Sequence, residues 1–342
     1  MTRQPLRVAF AGLAHSHPAA DAANVTVSGG RVVAVFDEDA RAAADFAERF
    51  GGVATLSLGA LAAESPDLII ATPRPDEAAR VVRALAAIDA PVFVNKVVAA
   101  TAGQLADWTD AVQGLRVGTS SVLRFAPALA ALRDELLGAE ILSIRLRVQH
   151  DAAGFRTAER LWQDDPELGG GILVTVGVHA WEILDVLRPG ARILSGTGWV
   201  RCRAGSSYSE DAAGIDAVID AGGTVVRVQL SVTGVPGPDA YGVEVVTSDG
   251  IRSLELDTTD ANESLGFRGL VAALCEASAE GRVVAPWATA RAVVENTVHA
   301  AQIARRTAGP GPDETWGSGE VPDAACDREA ARPTAAAMPH EG

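Results

Sequence analysis

The sequence predicts a two-domain protein of mixed α/β and α+β class: a parallel sheet with helices on both faces, then a domain on a large, mainly antiparallel sheet. Three observations predict it. Over residues 1–121 short apolar runs alternate with helical stretches, as βαβ units require. A glycine, Gly12, closes the first run and an acid, Asp37, closes the second. From about residue 122 to 308 the runs lengthen, take on period two and are separated by Gly or Asp-Gly turns.

Residues 6–12 (LRVAFAG) form an apolar run ending in glycine, as a buried parallel strand does. The alanine-rich stretch 18–24 suits a short helix, and 31–37 (RVVAVFD) gives a second strand. Residues 37–51 (DEDARAAADFAERFG) carry apolar side chains at helical spacing and stop at Gly51. PDLIIATP, PVFVNK and LRVGTSS read as further strands. Between them DEAARVVRALAAID and TAGQLADWTDAVQG read as helices, the second with Thr101 as N-cap. In the second domain AEILSIRLRVQH, ARILSGTGWVRCR, AGIDAVIDAGGTVVRVQLSVTG, YGVEVVTSDG and IRSLELDT are the long β-rich runs. One helix-like segment, GILVTVGVHAWEILDVL, interrupts them. An amphipathic helix at about 288–307 is placed to pack back on the first domain. Residues 309–342 hold 7 acids against 2 arginines among Gly, Pro and Ala, and read as a disordered acidic tail.

A hydrophobic share of 48% over 342 residues fills two cores. With 44 acids against 29 basic residues the formal charge is −15, which argues against a nucleic-acid backbone or an anionic membrane as partner. Cys202, Cys275 and Cys326 stand far apart without a CxxC pair, against a structural zinc site or a disulfide framework. No apolar run approaches a membrane span, and the run after Arg3 and Arg7 is shorter than a signal-peptide core. A cytoplasmic protein is expected. The basic residues are 28 arginines and a single lysine, Lys96. In that background a lysine points to work a guanidinium cannot do, that of a compact ammonium able to lose its proton.

Gly12 after one strand and Asp37 at the end of the next are the elements of a Rossmann dinucleotide site. The glycine lets backbone approach a pyrophosphate, and the acid accepts from ribose hydroxyls. The motif departs from G-x-G-x-x-G: Gly12 is followed by Leu13, Ala14, His15, Ser16 and His17, and His17 is bulky where a small residue is usual. Asp37 repels a 2′-phosphate, so NAD is the expected cofactor and NADP the lesser fit. Arg41, one turn on, is read as balancing the acids of its own helix.

The segments VVAVFDEDARAAADFAERFG, PDLIIATP, PVFVNKVVAAT, SSVLRFAP and ELGGGILVTVGVHAWEILDVL, over roughly residues 6 to 190, resemble the Gfo/Idh/MocA oxidoreductases. That family is named for glucose–fructose oxidoreductase and inositol dehydrogenase. The resemblance puts Lys96, in Asn95-Lys96-Val97, where the family has the catalytic lysine of Glu-Lys-Pro. His179 falls on the histidine of an Asp-x-x-x-His motif, with Thr175 in place of the aspartate. It implies hydride transfer between nicotinamide and a secondary alcohol or ketone of a sugar, sugar derivative or cyclitol. His179 would take the hydroxyl proton, Thr175 would hydrogen-bond His179, and Lys96 would polarise the reacting oxygen. It also implies that Thr72, Pro73, Glu77 and Asn95 join the cofactor site, that Arg124 and Trp162 line the substrate cleft, and that copies assemble through the C-terminal sheet.

Departures from the family pattern keep a second reading open: a non-catalytic or redox-neutral NAD-binding protein. Thr175 cannot stabilise an imidazolium by charge. Val97 removes the low cost of a cis peptide, about 3 kcal/mol without proline. Asn95 replaces a glutamate, and Glu77 stands where many relatives have histidine. Arg156, His150 and Asp164 are weaker cleft candidates, each read first as a surface or loop residue. His15 and His17 at i, i+2 lack a third ligand, so no metal is expected. His299 and His340 call for no role, and no G-x-S-x-G elbow supports a hydrolase.

Overall fold

A computed structural model describes residues 4–202 and 210–307. The stretch read as an acidic tail, with Cys326 and His340, lies outside the described residues.

The apolar runs of the first half become six strands: β1 (Arg7–Ala11), β2 (Arg31–Phe36), β3 (Val53–Ala54), β4 (Leu68–Ala71), β5 (Val92–Asn95) and β6 (Val117–Ser120). All pair in parallel, in the order β3-β2-β1-β4-β5-β6. This is the doubly wound arrangement, whose order reverses between β1 and β4 and leaves a crevice beyond their carboxyl ends. Five helices connect the strands: α1 (His17–Val27), α2 (Ala40–Phe50), α3 (Leu58–Ala63), α4 (Pro75–Leu85) and α5 (Ala102–Ala111). Their starts follow local chemistry. Asp39, Ser57 and Thr101 accept backbone N–H groups at the N-termini of α2, α3 and α5, and Pro75 opens α4.

The second half begins with α6 (Pro127–Glu135) and builds a sheet from β7 (Ile141–Gln149), β8 (Arg192–Arg201), β9 (Ala212–Asp220), β10 (Val225–Thr233), β11 (Ala240–Thr247) and β12 (Gly250–Glu255). The order is β12-β11-β7-β10-β9-β8, antiparallel except for the parallel pair β7–β10. The segment expected to be one helix is two, α7 (Gly171–Thr175) and α8 (Gly177–Leu187). The break falls at Val176, where the Thr175 hydroxyl turns back to the Gly171 carbonyl at 2.7 Å. Such i−4 bonding bends helices.

The chain then adds α9 (Ala261–Ser264), α10 (Phe267–Ala279) and α11 (Trp287–Thr307). The elements β3, α3, α6, α9 and α10 are additions to the sequence reading. Glycine inside α10 and the shortness of the others hide their periodicity.

One face of the parallel sheet packs with α3, α4 and α5 and takes in Val294 and Val298 of α11. The other face, with Val8, Phe10 and Ile70, is continuous with the core beneath the second sheet. The late helix therefore touches both halves. Trp287 stacks edge-on with Trp108 at 6.0 Å, while Asn296 receives the Ile193 N–H and Arg305 holds the Gly170 carbonyl. The segment ahead of it lies so close to β6 that a Cβ on Gly118 would fall 1.9 Å from the Val284 carbonyl oxygen.

Cys202, just past β8, is disulfide-bonded, while Cys275 is free. Among the described residues no helix is long and apolar enough to cross a membrane.

Candidate active site

The turn after β1 builds the first wall of the site. Gly12 has φ +85°, and a Cβ there would stand 2.9 Å from the Thr72 carbonyl oxygen, so only glycine fits. Its N–H goes to Phe36 O at 2.7 Å and the Ala14 N–H to Thr72 O at 3.0 Å, which draws the turn against the ends of β2 and β4. Asp37 accepts the Leu13 N–H at 2.7 Å and the Asp39 N–H at 2.9 Å, one on each carboxylate oxygen. Burial pushes its pKa up, partly offset by these two bonds.

Around this turn lies a cavity of about 500 Å³ lined by Gly12 to His15, Asp37 to Asp39, Thr72, Pro73, Arg74, Glu77, Arg80, Arg160 and Trp162. Arg80 is tied to Glu38 at 2.5 Å, and Arg74 binds Asp76 at 2.9 Å and lies over the Trp162 ring. Arg41 is outside this cavity, with Asp45 at 3.9 Å.

A second cavity, of about 310 Å³, shares His15 and Arg160 with the first and continues to Ser16, His17, Lys96, His150, Gln163, Thr175, His179, Asp239 and Tyr241. Lys96 follows the end of β5, and its Nζ donates to the Thr175 carbonyl oxygen at 3.2 Å. The Lys96–Val97 peptide is cis. Burial lowers the Lys96 pKa from 10.5 to about 8, against the opposing charge of Asp239.

His15 Nδ1 receives the His17 N–H at 3.3 Å, and its Nε2 faces the Lys96 carbonyl at 3.2 Å. One nitrogen meets a donor and the other an acceptor, which defines a neutral Nε2–H ring. Burial and the Lys96 charge bring its pKa to about 3. Burial likewise holds His17 well below its ordinary value.

His179 is buried on α8, its ring 5.2 Å from that of Tyr241. Burial first, then the nearby Lys96 charge, hold its pKa well below the ordinary value. Its Nδ1 meets Ser121 Oγ at 2.7 Å. Thr175 is therefore not its partner, because the threonine hydroxyl is turned to Gly171. His150 pairs with Asp239 at 2.7 Å.

Several expected site residues lie elsewhere. Asn95 lines neither cavity. It is buried and donates to Asp21 Oδ2 at 3.0 Å and to Thr72 Oγ1 at 2.9 Å. Arg124 turns to α8, with Glu182 and Asp185 as its partners. Trp162 lines the first cavity rather than the second. Arg156 binds Asp211 at 2.7 Å, and Asp164 is buried away from both cavities. Ser121, Gln163, Asp239 and Tyr241 were not read from the sequence. No motif marks them, and the fold alone brings them together. Among the described residues no three His, Cys, Asp or Glu side chains converge as a metal site.

No protein-family model matches the sequence, and no curated protein matches it. Solved structures do. GenD2 from gentamicin A biosynthesis, in complex with NAD, superposes with TM-score 0.72 at 20% identity, over 90% of this chain and 95% of that one. Myo-inositol 2-dehydrogenase from Lactobacillus plantarum gives 0.71 at 14%, over 89% and 97%. UDP-N-acetylglucosamine 3-dehydrogenase GnnA from Acidithiobacillus ferrooxidans gives 0.66 at 17%, over 88% and 98%. The chain shares the fold of these neighbours, which are of Gfo/Idh/MocA type. In this chain the two cavities lie at the carboxyl ends of the parallel strands, where the doubly wound half meets the second sheet.

Proposed function

We propose that the chain is an NAD-dependent oxidoreductase that interconverts a secondary alcohol and a ketone on a sugar, sugar derivative or cyclitol. The observation that carries this is the position of its only lysine. Lys96 lies in a cavity with His179, and that cavity joins the one around the Gly12 turn through His15 and Arg160. In this reading residues 1–121 are the cofactor half and 122–308 the substrate half.

The residues present fit a dinucleotide. The Gly12 turn leaves no room for a Cβ, and Asp37 keeps lone pairs for ribose hydroxyls beyond its two backbone bonds. Asp37, Glu38, Asp39 and Glu77 make this end acidic, and Arg74 and Arg80 are already paired with acids, so a 2′-phosphate meets net negative charge. Bound there, the nicotinamide supplies the hydride chemistry. Lys96 and His179 then flank the reacting oxygen, while His150, Gln163 and Tyr241 offer the scattered polar contacts that a polyhydroxylated substrate takes up. A scan of sugars and cyclitols for a change in nicotinamide absorbance tests the reading. Turnover of none of them, with NAD bound, would favour the non-catalytic alternative.

Assembly through the second sheet is part of this proposal. Its outer face presents Arg145 and Arg147 on β7, paired with Glu244 on β11 and Glu255 on β12, a pattern of both signs that suits pairing with a second copy. Light scattering of the protein with Arg145 and Arg147 both changed to Glu would report a monomer against a wild-type oligomer.

A further inference from the structure

Ser121 Oγ meets His179 Nδ1 at 2.7 Å and accepts the Leu123 N–H at 3.2 Å. Its own N–H goes to Glu182 Oε2 at 2.8 Å, and the residue is fully buried. A hydroxyl has one proton to give and two lone pairs to receive. If the ring proton sat on Nδ1, Ser121 Oγ would accept twice, and its own proton would face no acceptor among the described residues. A buried hydroxyl left unmatched disfavours that arrangement by about tenfold or more. With the ring proton on Nε2, Ser121 donates to Nδ1 while accepting from Leu123, so its hydroxyl and Nδ1 are both matched. A carboxylate beside the ring would do the opposite, since it can only accept.

We propose that Ser121 is a positioning residue that fixes neutral His179 as its Nε2–H tautomer, so that His179 donates a hydrogen bond to the reacting oxygen and Lys96 takes or returns the proton. This rests on the dehydrogenase reading above. In the oxidation direction the substrate O–H proton passes to the neutral Lys96 amine, which becomes an ammonium. The C–H bond breaks, its electron pair leaving with the hydrogen as hydride to the oxidised cofactor. The C–O bond becomes C=O, its oxygen held by His179 Nε2–H, and Lys96 later releases the proton to solvent. Burial supports the assignment on both sides, keeping His179 neutral and easing Lys96 toward its amine form.

The direct test is a long-range 1H–15N spectrum of the full-length protein labelled with 15N-histidine, without cofactor or substrate. The His179 signals are assigned by their disappearance in His179→Gln. The expected pattern is a protonated Nε2 and a bare, hydrogen-bonded Nδ1, and a protonated Nδ1 overturns the proposal. Ser121→Thr keeps the hydroxyl and should keep the pattern, whereas Ser121→Ala should shift Nδ1 and lower kcat with little change in KM.

Kinetics give a second arm. His179→Gln preserves an N–H near the Nε2 position, so it should turn over at least about tenfold faster than His179→Ala with the pH–rate limb unmoved. Equal rates for the two variants overturn the proposal. Should no substrate be turned over while NAD binds, the dehydrogenase reading falls and the role of Lys96 falls with it. The tautomer is still decided by the spectrum.

Discussion

Lys96 Nζ donates to the Thr175 carbonyl oxygen at 3.2 Å, so the end of a strand in the first sheet meets the break between α7 and α8. The bond leaves the lysine room for a further partner in the cavity, because an amine that donates once keeps other donors and, when neutral, a lone pair. Lys96→Arg keeps a positive charge but brings a planar group that does not lose its proton. Turnover should fall by about 10²-fold or more, while NAD affinity by calorimetry stays within a few-fold of wild type.

The pH dependence follows from the same residue. With its pKa brought to about 8, the Lys96 ammonium loses its proton as pH rises through that value. The oxidation rate should climb across roughly pH 7 to 9, and the reverse reduction should fall across the same window. A profile flat through pH 8 in both directions would exclude Lys96 as the proton carrier.

Cofactor choice rests on Asp37 and its acidic neighbours. Calorimetry should find NAD bound at least about tenfold more tightly than NADP, roughly 1.4 kcal/mol. Asp37→Ser should narrow that gap. Equal affinities in the unsubstituted protein would show that the arginines of this cavity are freed from their acids.

Arg124 has a structural part rather than one in the substrate cleft. It is the shared partner of Glu182 and Asp185, both buried on α8. Arg124→Met leaves two buried acids without their cation, and urea unfolding should show a loss of about 3–5 kcal/mol. A loss below about 1 kcal/mol, with substrate KM raised, would restore Arg124 to the cleft.

Asp21 offers a test by stability. It is buried on α1, and burial raises its pKa from 3.8 to about 7 despite the bond from Asn95. Between about pH 4 and 7 the folded chain therefore keeps a proton that the unfolded chain has lost, and stability falls as pH rises across that window. Asp21→Asn removes the titration. It should raise Tm by several degrees at pH 8 and much less at pH 5, as read by calorimetric melting.

Much of the fold was legible because its determinants are local. Strand lengths, the Gly12 turn and the Thr101 cap depend on near neighbours in sequence. Lys96 was legible because it is the one departure from an all-arginine pattern. Thr175 was misjudged because i, i+4 spacing brings it beside His179 only on an unbroken helix, and Val176 interrupts that helix. Asn95 adjoins Lys96 in sequence, but its side chain points into the Asp21 and Thr72 cluster. Ser121 could not be read at all. It reaches His179 from 58 positions away, across the meeting of two sheets.

The last helix also bears on the order in which the molecule can be made. Val294 and Val298 complete the core beneath the parallel sheet, and the segment just before α11 lies on β6. A chain emerging from the ribosome has synthesised all six parallel strands by Ser120, yet the apolar face that α11 covers stays open for almost 180 further residues. The half proposed to hold the cofactor is thus finished late, together with the half that would hold the substrate.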